Sequence, residues 1–98
     1  MRVIYHPDAE AELIEAAKFY QRRVPGLGAQ FLNGVDHAIS VISAAPGRWA
    51  VIEKDVRRYL IRRFPYAIYY RAHPDELRVL AFKHHRRHPD YWRYRITP

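Results

Sequence analysis

The residues best suited to chemistry lie together near the C-terminus, in the run His84-His85-Arg86-Arg87-His88. Histidine titrates near neutral pH and arginine keeps its positive charge, so these side chains suit acid–base chemistry or the binding of an anion. Cleavage of RNA by its own 2′-hydroxyl would use histidines to move protons and arginines to stabilise the charged phosphorane. Binding of phosphates or carboxylates would use the positive charges alone. The residue types fit both kinds of chemistry.

Metal and cofactor sites receive little support from the sequence. Histidines at positions 84, 85 and 88, without a cysteine or a well-placed carboxylate, match no standard spacing of zinc ligands. The absence of cysteine also excludes disulfides and a thiolate nucleophile. Ser40 and Ser43 lack the glycine-rich turn of a serine nucleophile, and no phosphate-binding glycine loop is present. We therefore expect no metal and no cofactor.

Arginines also occur in pairs on a predicted strand upstream of this run: Arg57, Arg58, Arg62 and Arg63. One interpretation is a solvated strand whose charges protect a sheet edge from pairing with another strand. The other is a row that binds phosphate or carboxylate, because each guanidinium offers two parallel donors to either group. The sequence alone leaves both interpretations open.

Aromatic residues follow the basic run and continue it towards the C-terminus. Tyr91 and Trp92 lie among arginines, and exposed rings in such a setting can stack on bases. We expect Trp92 to fold back and close the core, while Arg93 and Arg95 face water. Tyr91 is then the ring that remains available for function.

The net charge of +7 is distributed unevenly along the chain. Residues 1–56 contain six Lys/Arg and seven Asp/Glu, whereas residues 57–98 contain eleven and three, which gives the second part a charge of +8. A surface of this sign attracts polyanions, either nucleic acid or an acidic protein segment. We therefore expect the partner-binding surface to lie in the C-terminal part.

A single small domain must position these side chains, because 98 residues bury one modest core. A β-prone run spans Arg2–Tyr5, and the following proline and acidic residues predict the start of a helix. Apolar residues at steps of three and four continue to residues 22–24 and resume after the turn Pro25-Gly26-Leu27-Gly28. Two amphipathic helices joined by so short a turn form an antiparallel hairpin.

Short β-prone runs replace the helical pattern from residue 56 onward, after a predicted connection at residues 44–55. Residues 56–64, 66–72 and 77–83 predict three antiparallel strands in a meander, and the last is central because it is apolar on both alternations. The helical hairpin is expected to cover one face of this sheet. The sequence thus predicts an α+β domain over residues 1–98, with an N-terminal strand and a helical hairpin packed on a three-strand antiparallel meander.

The sequence contains no segment that suggests a membrane protein. No apolar run approaches the roughly 20 residues that cross a bilayer, and the N-terminus lacks the apolar core of a signal peptide. Together with the lack of cysteine, this predicts a cytoplasmic protein.

Four segments, in this order, resemble the RelE/ParE family of type II toxins: PGLGAQF, Pro46 with Trp49, VRRYLIRRFPYAIYYR and VLAFKHHRRHPDYWRYR. The resemblance covers nearly the whole chain. It implies a cytoplasmic growth inhibitor from a plasmid or a bacterial chromosome. It also implies a cognate antitoxin that neutralises the toxin within a hetero-oligomer, its C-terminal segment wrapping the toxin and its N-terminal part binding operon DNA.

The family divides by target, and the resemblance allows both branches. RelE-like members cleave messenger RNA in the ribosomal A site, whereas ParE-like members poison DNA gyrase and are not nucleases. The positions that match the RelE-type site are Arg62 or Arg63, Arg86, and Tyr91 or Trp92. The lysines that RelE-like nucleases carry near the first meander strand are almost absent, and no C-terminal helix is apparent.

The PGLGAQF turn and the HxRRxPxYW ending are more similar to the ParE branch, so we expect gyrase to be the target. The residues then expected to bind the target or the antitoxin are Arg57, Arg58, Arg86, Arg87, Arg93 and Arg95. If the chain is instead a ribosome-dependent nuclease, the expected catalytic residues are Arg62, Arg63, His84, His85, Arg86 and Tyr91. A basic nucleic-acid-binding module without toxicity is the third hypothesis.

Overall fold

The computed structural model describes residues 1–96. In chain order its main elements are β1 (Arg2–Tyr5), α1 (Pro7–Arg23), α2 (Leu27–Ala44), β2 (Val51–Glu53), β3 (Val56–Leu60), β4 (Tyr66–His73) and β5 (Glu76–His84), with 3₁₀ turns at Pro46–Arg48 and Arg93–Arg95. The strands form one sheet in the order β1-β5-β4-β3-β2. β1 lies parallel to β5 and the other neighbours are antiparallel, so the predicted α+β fold is confirmed.

Both helices begin close to the predicted positions, because local sequence specifies their ends. At the start of α1, the Nδ1 atom of His6 accepts a hydrogen bond from the Asp8 N–H at 3.0 Å. Pro7 follows this cap in the first turn, where its missing N–H has no consequence. α1 ends at Arg23, and Gly26 then adopts φ 89°, a left-handed value that favours glycine, immediately before α2.

The two helices approach each other closely at Gly28. A Cβ atom at this position would lie 2.6 Å from the backbone oxygen of Ala17, so a larger residue cannot fit without moving the helices apart. The Gln21 Oε1 atom accepts hydrogen bonds from the N–H groups of Gly26 and Gly28, at 3.0 and 3.3 Å. These contacts join the two helices in the predicted hairpin.

The meander has four strands, and the prediction of three was wrong. β2 lies within residues 44–55, which the sequence predicts to be a connection. This strand is short and half-exposed, so it produces no alternating apolar pattern. β3 ends at Leu60 rather than at residue 64. Arg62 and Arg63 therefore lie in the turn before β4 and not on a strand.

The two faces of the sheet pack against different partners. On one face the apolar stripes of α1 and α2 cover residues such as Ile68 and Phe82, as predicted for the helical hairpin. On the other face, Trp92 and Ile96 from the C-terminal segment pack with a second cluster that includes Tyr69. Trp92 is 2% exposed, so the prediction that it closes the core is confirmed.

β5 is an interior strand, as predicted, because β1 and β4 flank it on its two edges. Tyr69 pairs with Ala81 and Tyr70 pairs with Val79, which leaves Leu80 as an extra residue in β5. This β-bulge lies four residues before His84, where β5 ends and the basic run begins.

Candidate partner-binding surface

Two turns that are distant in sequence meet at one end of the sheet. The first residue of β4 pairs with the last residue of β5, and the His85 N–H donates to the Pro65 carbonyl at 2.9 Å. The turn at residues 61–65 is thereby fixed against the turn that follows β5. The structure thus brings Arg62 and Arg86 to the same end of the molecule, although they belong to separate segments of the sequence.

Three of the arginines predicted to bind a partner make contacts that hold parts of this chain together: Arg57, Arg87 and Arg93. Arg57 donates to carbonyl groups in the loop before β2, with the shorter bond, 2.6 Å, made to Trp49. Arg87 forms an ion pair with Glu12 at 3.0 Å, and Arg93 pairs with an acidic residue of β2 at 2.6 Å. Because these guanidinium groups already have internal partners, an external partner would have to share or displace them.

Arg95 does not face water, and that expectation was wrong. Its side chain is 3% exposed and forms an ion pair with Glu12 at 2.9 Å. It also donates to the Leu80 carbonyl at 2.9 Å and to the Tyr94 hydroxyl at 3.1 Å. The sequence gives no sign of this burial, because the acidic partner is 83 residues away. Arg93 is exposed, as expected.

The side chains of three other arginines are exposed and make no hydrogen bond or ion pair within residues 1–96: Arg58, Arg62 and Arg86. Lys83 accompanies them, on the same face of the sheet as Arg58, and its Nζ donates to the carbonyl of the next residue at 3.1 Å. We call Arg58, Arg62, Lys83 and Arg86 the basic end.

Lys83 is the member of the basic end that the sequence pattern does not identify, because it closes an apolar strand and reads as core. It is indeed buried. Burial lowers the pKa of its ammonium group, and the positive charges of Arg58 and Arg87 lower it further. A buried ammonium beside like charges favours the approach of an anion. The basic end is therefore suited to binding a carboxylate or a phosphate.

His84 is the side chain best placed for proton transfer, but its geometry restricts it. Its Nδ1 atom accepts a hydrogen bond from the Arg86 N–H at 3.1 Å, and its ring packs edge-on against Tyr66 with the centroids 5.1 Å apart. Burial lowers the pKa of His84, and the positive environment of His85, Arg86 and Lys83 lowers it further. The lowered pKa favours the unprotonated imidazole, which accepts a proton more readily than it donates one.

Tyr91, the candidate ring for stacking or catalysis, is covered by arginines. The guanidinium carbons of Arg87 and Arg95 lie 3.8 and 5.0 Å from the ring centroid. Burial raises the pKa of Tyr91 far above its usual value, and the nearby Glu12 carboxylate adds to the effect. Its ring is therefore occupied by internal cation–π contacts and its hydroxyl stays protonated. The arrangement supplies positive charge more readily than a paired acid and base.

The described residues offer neither a metal-binding group nor a membrane-spanning helix. No group of three or more histidine, aspartate or glutamate side chains in residues 1–96 could hold a metal ion. Over the same residues, neither helix is both long and apolar enough to cross a bilayer.

Fold and surface together define a small basic α+β protein in which the unpaired arginines Arg62 and Arg86 lie in two turns that meet at one end of the sheet. The family model for the ParE toxin of the type II toxin–antitoxin system parDE matches residues 3–89. The chain belongs to the ParE toxin family, and the resemblance deduced from the sequence is confirmed.

A solved structure supports the fold independently. It is described as the chromosomal ParDE TA system from P. aeruginosa, and it is similar to this chain with a TM-score of 0.73. The similarity covers 86% of this chain and 95% of that chain at 16% sequence identity. At this identity the likeness bears on the fold alone. No curated protein matches the chain.

Proposed function

We propose that this chain is the growth-inhibiting toxin of a type II toxin–antitoxin module and that it acts in the cytoplasm by poisoning DNA gyrase. The observation that carries the proposal is the match of the ParE toxin family over residues 3–89. The exposed, unpaired arginines of the basic end add support, because such cations raise the rate and the specificity of association with an anionic partner. The internal engagement of Tyr91 also favours a binding function over a nuclease.

A cognate antitoxin with an acidic segment is the second part of the proposal, and the two proteins would form a hetero-oligomer. The similar solved structure belongs to a toxin–antitoxin system, which makes such a partner a natural expectation. Arg58, Arg62 and Arg86 have guanidinium groups free to pair with carboxylates. Because these charges are exposed, the affinity for the antitoxin should fall as the salt concentration rises.

Ribosome-dependent cleavage of messenger RNA is the alternative function, and one observation favours it. The hydrogen bond between His85 and Pro65 joins the turn that carries Arg62 to the turn that carries Arg86, next to His84, whose pKa is lowered by burial. This alternative predicts A-site cuts in a translated message, abolished by Arg86→Ala and weakened by His85→Ala. Intact messages during translation in the presence of the protein would exclude it.

Expression of the chain in bacteria without an antitoxin tests the toxin role. We expect growth to stop and chromosomal DNA to accumulate gyrase-dependent breaks while messenger RNA stays intact. Coexpression of the neighbouring reading frame, if it encodes a short acidic protein, should restore growth. Harmless overexpression of a folded, soluble chain would contradict the proposal and favour a nucleic-acid-binding module without toxicity.

A further inference from the structure

A hollow of about 370 Å³ lies where β4 and β5 meet the C-terminal segment and the residue before α1. Its lining combines basic and apolar residues: His6, Arg71, Arg78, Val79, Leu80, Arg95 and Ile96. No acidic residue of the described chain lines it. A cleft lined by charges of one sign concentrates counter-ions, so this hollow is suited to an anion. We call it the Arg71–Arg78 hollow.

Arg71 and Arg78 lie directly opposite each other on β4 and β5. Side chains in such a pair project from the same face of the sheet with their Cβ atoms about 5 Å apart, and like charges in this position destabilise the sheet. An anion bound between the two guanidinium groups would remove this repulsion.

Each of the two arginines has an internal carboxylate partner but keeps unbonded nitrogen atoms. Arg71 donates from Nε to Asp55 at 3.0 Å and from Nη1 to the Ile96 carbonyl at 3.1 Å. Arg78 donates from Nε to Glu76 at 2.6 Å. Within residues 1–96, the Nη2 atom of Arg71 and both Nη atoms of Arg78 make no hydrogen bond. These atoms are free to bind a ligand.

His6 adds a third donor from a different element. Its Nδ1 atom accepts a hydrogen bond from the Asp8 N–H at 3.0 Å, so the neutral imidazole carries its hydrogen on Nε2. Nε2 makes no hydrogen bond within the described part of the chain. The backbone N–H of His6 donates to the Val79 carbonyl at 2.9 Å and fixes the residue against β5.

Arg95 closes the hollow without offering a free donor. Its three guanidinium nitrogens bond to Glu12, Tyr94 and a β5 carbonyl, so it contributes structure and charge. The bond from Arg71 to Ile96 holds the C-terminal segment on the other side. Because internal hydrogen bonds fix these walls, a ligand need not order them, which favours binding.

We propose that the Arg71–Arg78 hollow binds a phosphate group through the free guanidinium nitrogens of Arg71 and Arg78 and the imidazole of His6. These donors belong to β4, β5 and the residue before α1, and donors from three elements suit a tetrahedral phosphate better than a planar carboxylate. The volume is that of a small-molecule site. The ligand is therefore inorganic phosphate or the phosphate monoester of a small metabolite.

The Arg71–Arg78 hollow is separate from the basic end. Tyr66 and His84 pair at the end of the ladder that carries the basic run, whereas Arg71 and Arg78 pair five residues farther along β4, roughly 17 Å away. The proposal does not depend on the target of the toxin. A chain that poisons gyrase without binding phosphate, or binds phosphate without toxicity, would distinguish the two proposals.

The test is an NMR titration of the ¹⁵N-labelled protein with inorganic phosphate and with ribose 5-phosphate, at constant ionic strength in a buffer free of phosphate. We expect saturable shifts at the amides of residues 6, 71–72, 78–80 and 95–96. Acetate should bind at least about tenfold more weakly, because a planar carboxylate engages fewer of the donors. Tighter binding of ribose 5-phosphate would identify a monoester as the ligand, and tighter binding of inorganic phosphate would identify the free ion.

Arg78→Gln and Arg2→Gln form a matched pair of variants. Both arginines contact the Glu76 carboxylate, at 2.6 and 4.0 Å, but only Arg78 lines the hollow. We expect Arg78→Gln to weaken phosphate binding by about fivefold or more and Arg2→Gln to change it by less than about twofold. His6→Ser keeps an oxygen that can cap α1 and removes the imidazole, so it should also weaken binding.

Several results would overturn the proposal. Equal binding of acetate and phosphate would remove the preference for a tetrahedral anion, and equal losses in Arg78→Gln and Arg2→Gln would reduce the effect to general charge. Shifts confined to residues 62–63 and 85–87 would place the anion at the basic end. Competition by a short oligothymidine, which carries phosphodiesters, would assign the hollow to nucleic acid. Absence of shifts at millimolar ligand, in a protein whose spectrum remains folded, would exclude phosphate binding.

Discussion

The contact between Glu12 and Arg95 shows how one pair of side chains completes a sheet edge. β1 ends at Tyr5, opposite Val79, so the rest of β5 has no strand on that side. The Glu12 carboxylate accepts the Phe82 N–H at 3.0 Å, and Arg95 donates to a β5 carbonyl at 2.9 Å. The ion pair therefore satisfies backbone groups that a longer β1 would have paired.

Removal of this ion pair should be costly. Glu12→Ala leaves the buried Arg95 guanidinium without its counterion, and we expect the free energy of unfolding to fall by about 3–5 kcal/mol. The control is Arg78→Ala, whose pair with Glu76 is half-exposed and should contribute less than about 1 kcal/mol. Urea denaturation measures both variants. Similar losses in the two would show that the Glu12–Arg95 pair is not structurally special.

His84 should give the protein a pH-dependent stability near neutrality. Its folded pKa is lowered below the ordinary value of 6.5, mainly by burial, so the unfolded chain binds the proton more readily. Stability is therefore lost as the pH falls from about 7 towards the folded pKa. His84→Asn retains an acceptor for the Arg86 N–H but does not titrate. We expect denaturation curves of this variant to depend less on pH between about 7.5 and 5.5; an unchanged dependence would contradict this account.

Among the helices and strands, the sequence predicts those that depend on local residue patterns. It misses features that depend on contacts between residues far apart in the chain. The hairpin of α1 and α2 follows from a proline start, a glycine turn and apolar stripes. β2 is missed because three half-exposed residues carry no alternation. Arg95 is misplaced because its acidic partner lies on α1, and Lys83 is missed because an apolar strand conceals it. Only the folded sheet unites Arg62 with Arg86.

Substitution of two glycines of α2 by alanine should change the stability of the protein in opposite directions. Gly28→Ala places a methyl group 2.6 Å from the Ala17 carbonyl and should destabilise the protein by about 1–3 kcal/mol through separation of the helices. Gly34→Ala meets no clash and should stabilise it by up to about 1 kcal/mol through helix propensity. Thermal denaturation of both variants compares them directly. Stabilisation by Gly28→Ala would refute the close approach of the helices.

Across the whole molecule, the positive charge of the C-terminal part has two uses. Arg57, Arg71, Arg87 and Arg95 bind carbonyls or carboxylates within the protein and hold the C-terminal segment and loops on the sheet. The exposed arginines of the basic end, Arg58, Arg62 and Arg86, make no such contacts within residues 1–96, and we propose that a partner binds them. The net charge of the sequence therefore overstates the positive charge that is available to a partner, because some cations are buried or paired within the protein.

Substitution of the adjacent residues Arg86 and Arg87 can distinguish arginines that bind a partner from arginines that stabilise the fold. Arg86 has no internal partner, so Arg86→Ala should change the free energy of unfolding by less than about 0.5 kcal/mol while reducing growth inhibition. Arg87 pairs with Glu12 and covers Tyr91, so Arg87→Ala should destabilise the protein by about 1 kcal/mol. Urea denaturation and growth curves on the same variants make the comparison. Full toxicity of Arg86→Ala would remove the basic end from the toxic surface.

A supercoiling assay with purified gyrase and relaxed plasmid tests our proposal that this ParE-family chain poisons gyrase through its basic end. We expect the folded protein to block supercoiling and trap cleaved plasmid, and the doubly substituted Arg58→Ala/Arg86→Ala protein to do neither at the same concentration. Normal supercoiling at a stoichiometric excess of folded protein over gyrase, without cleaved plasmid, would contradict the claim.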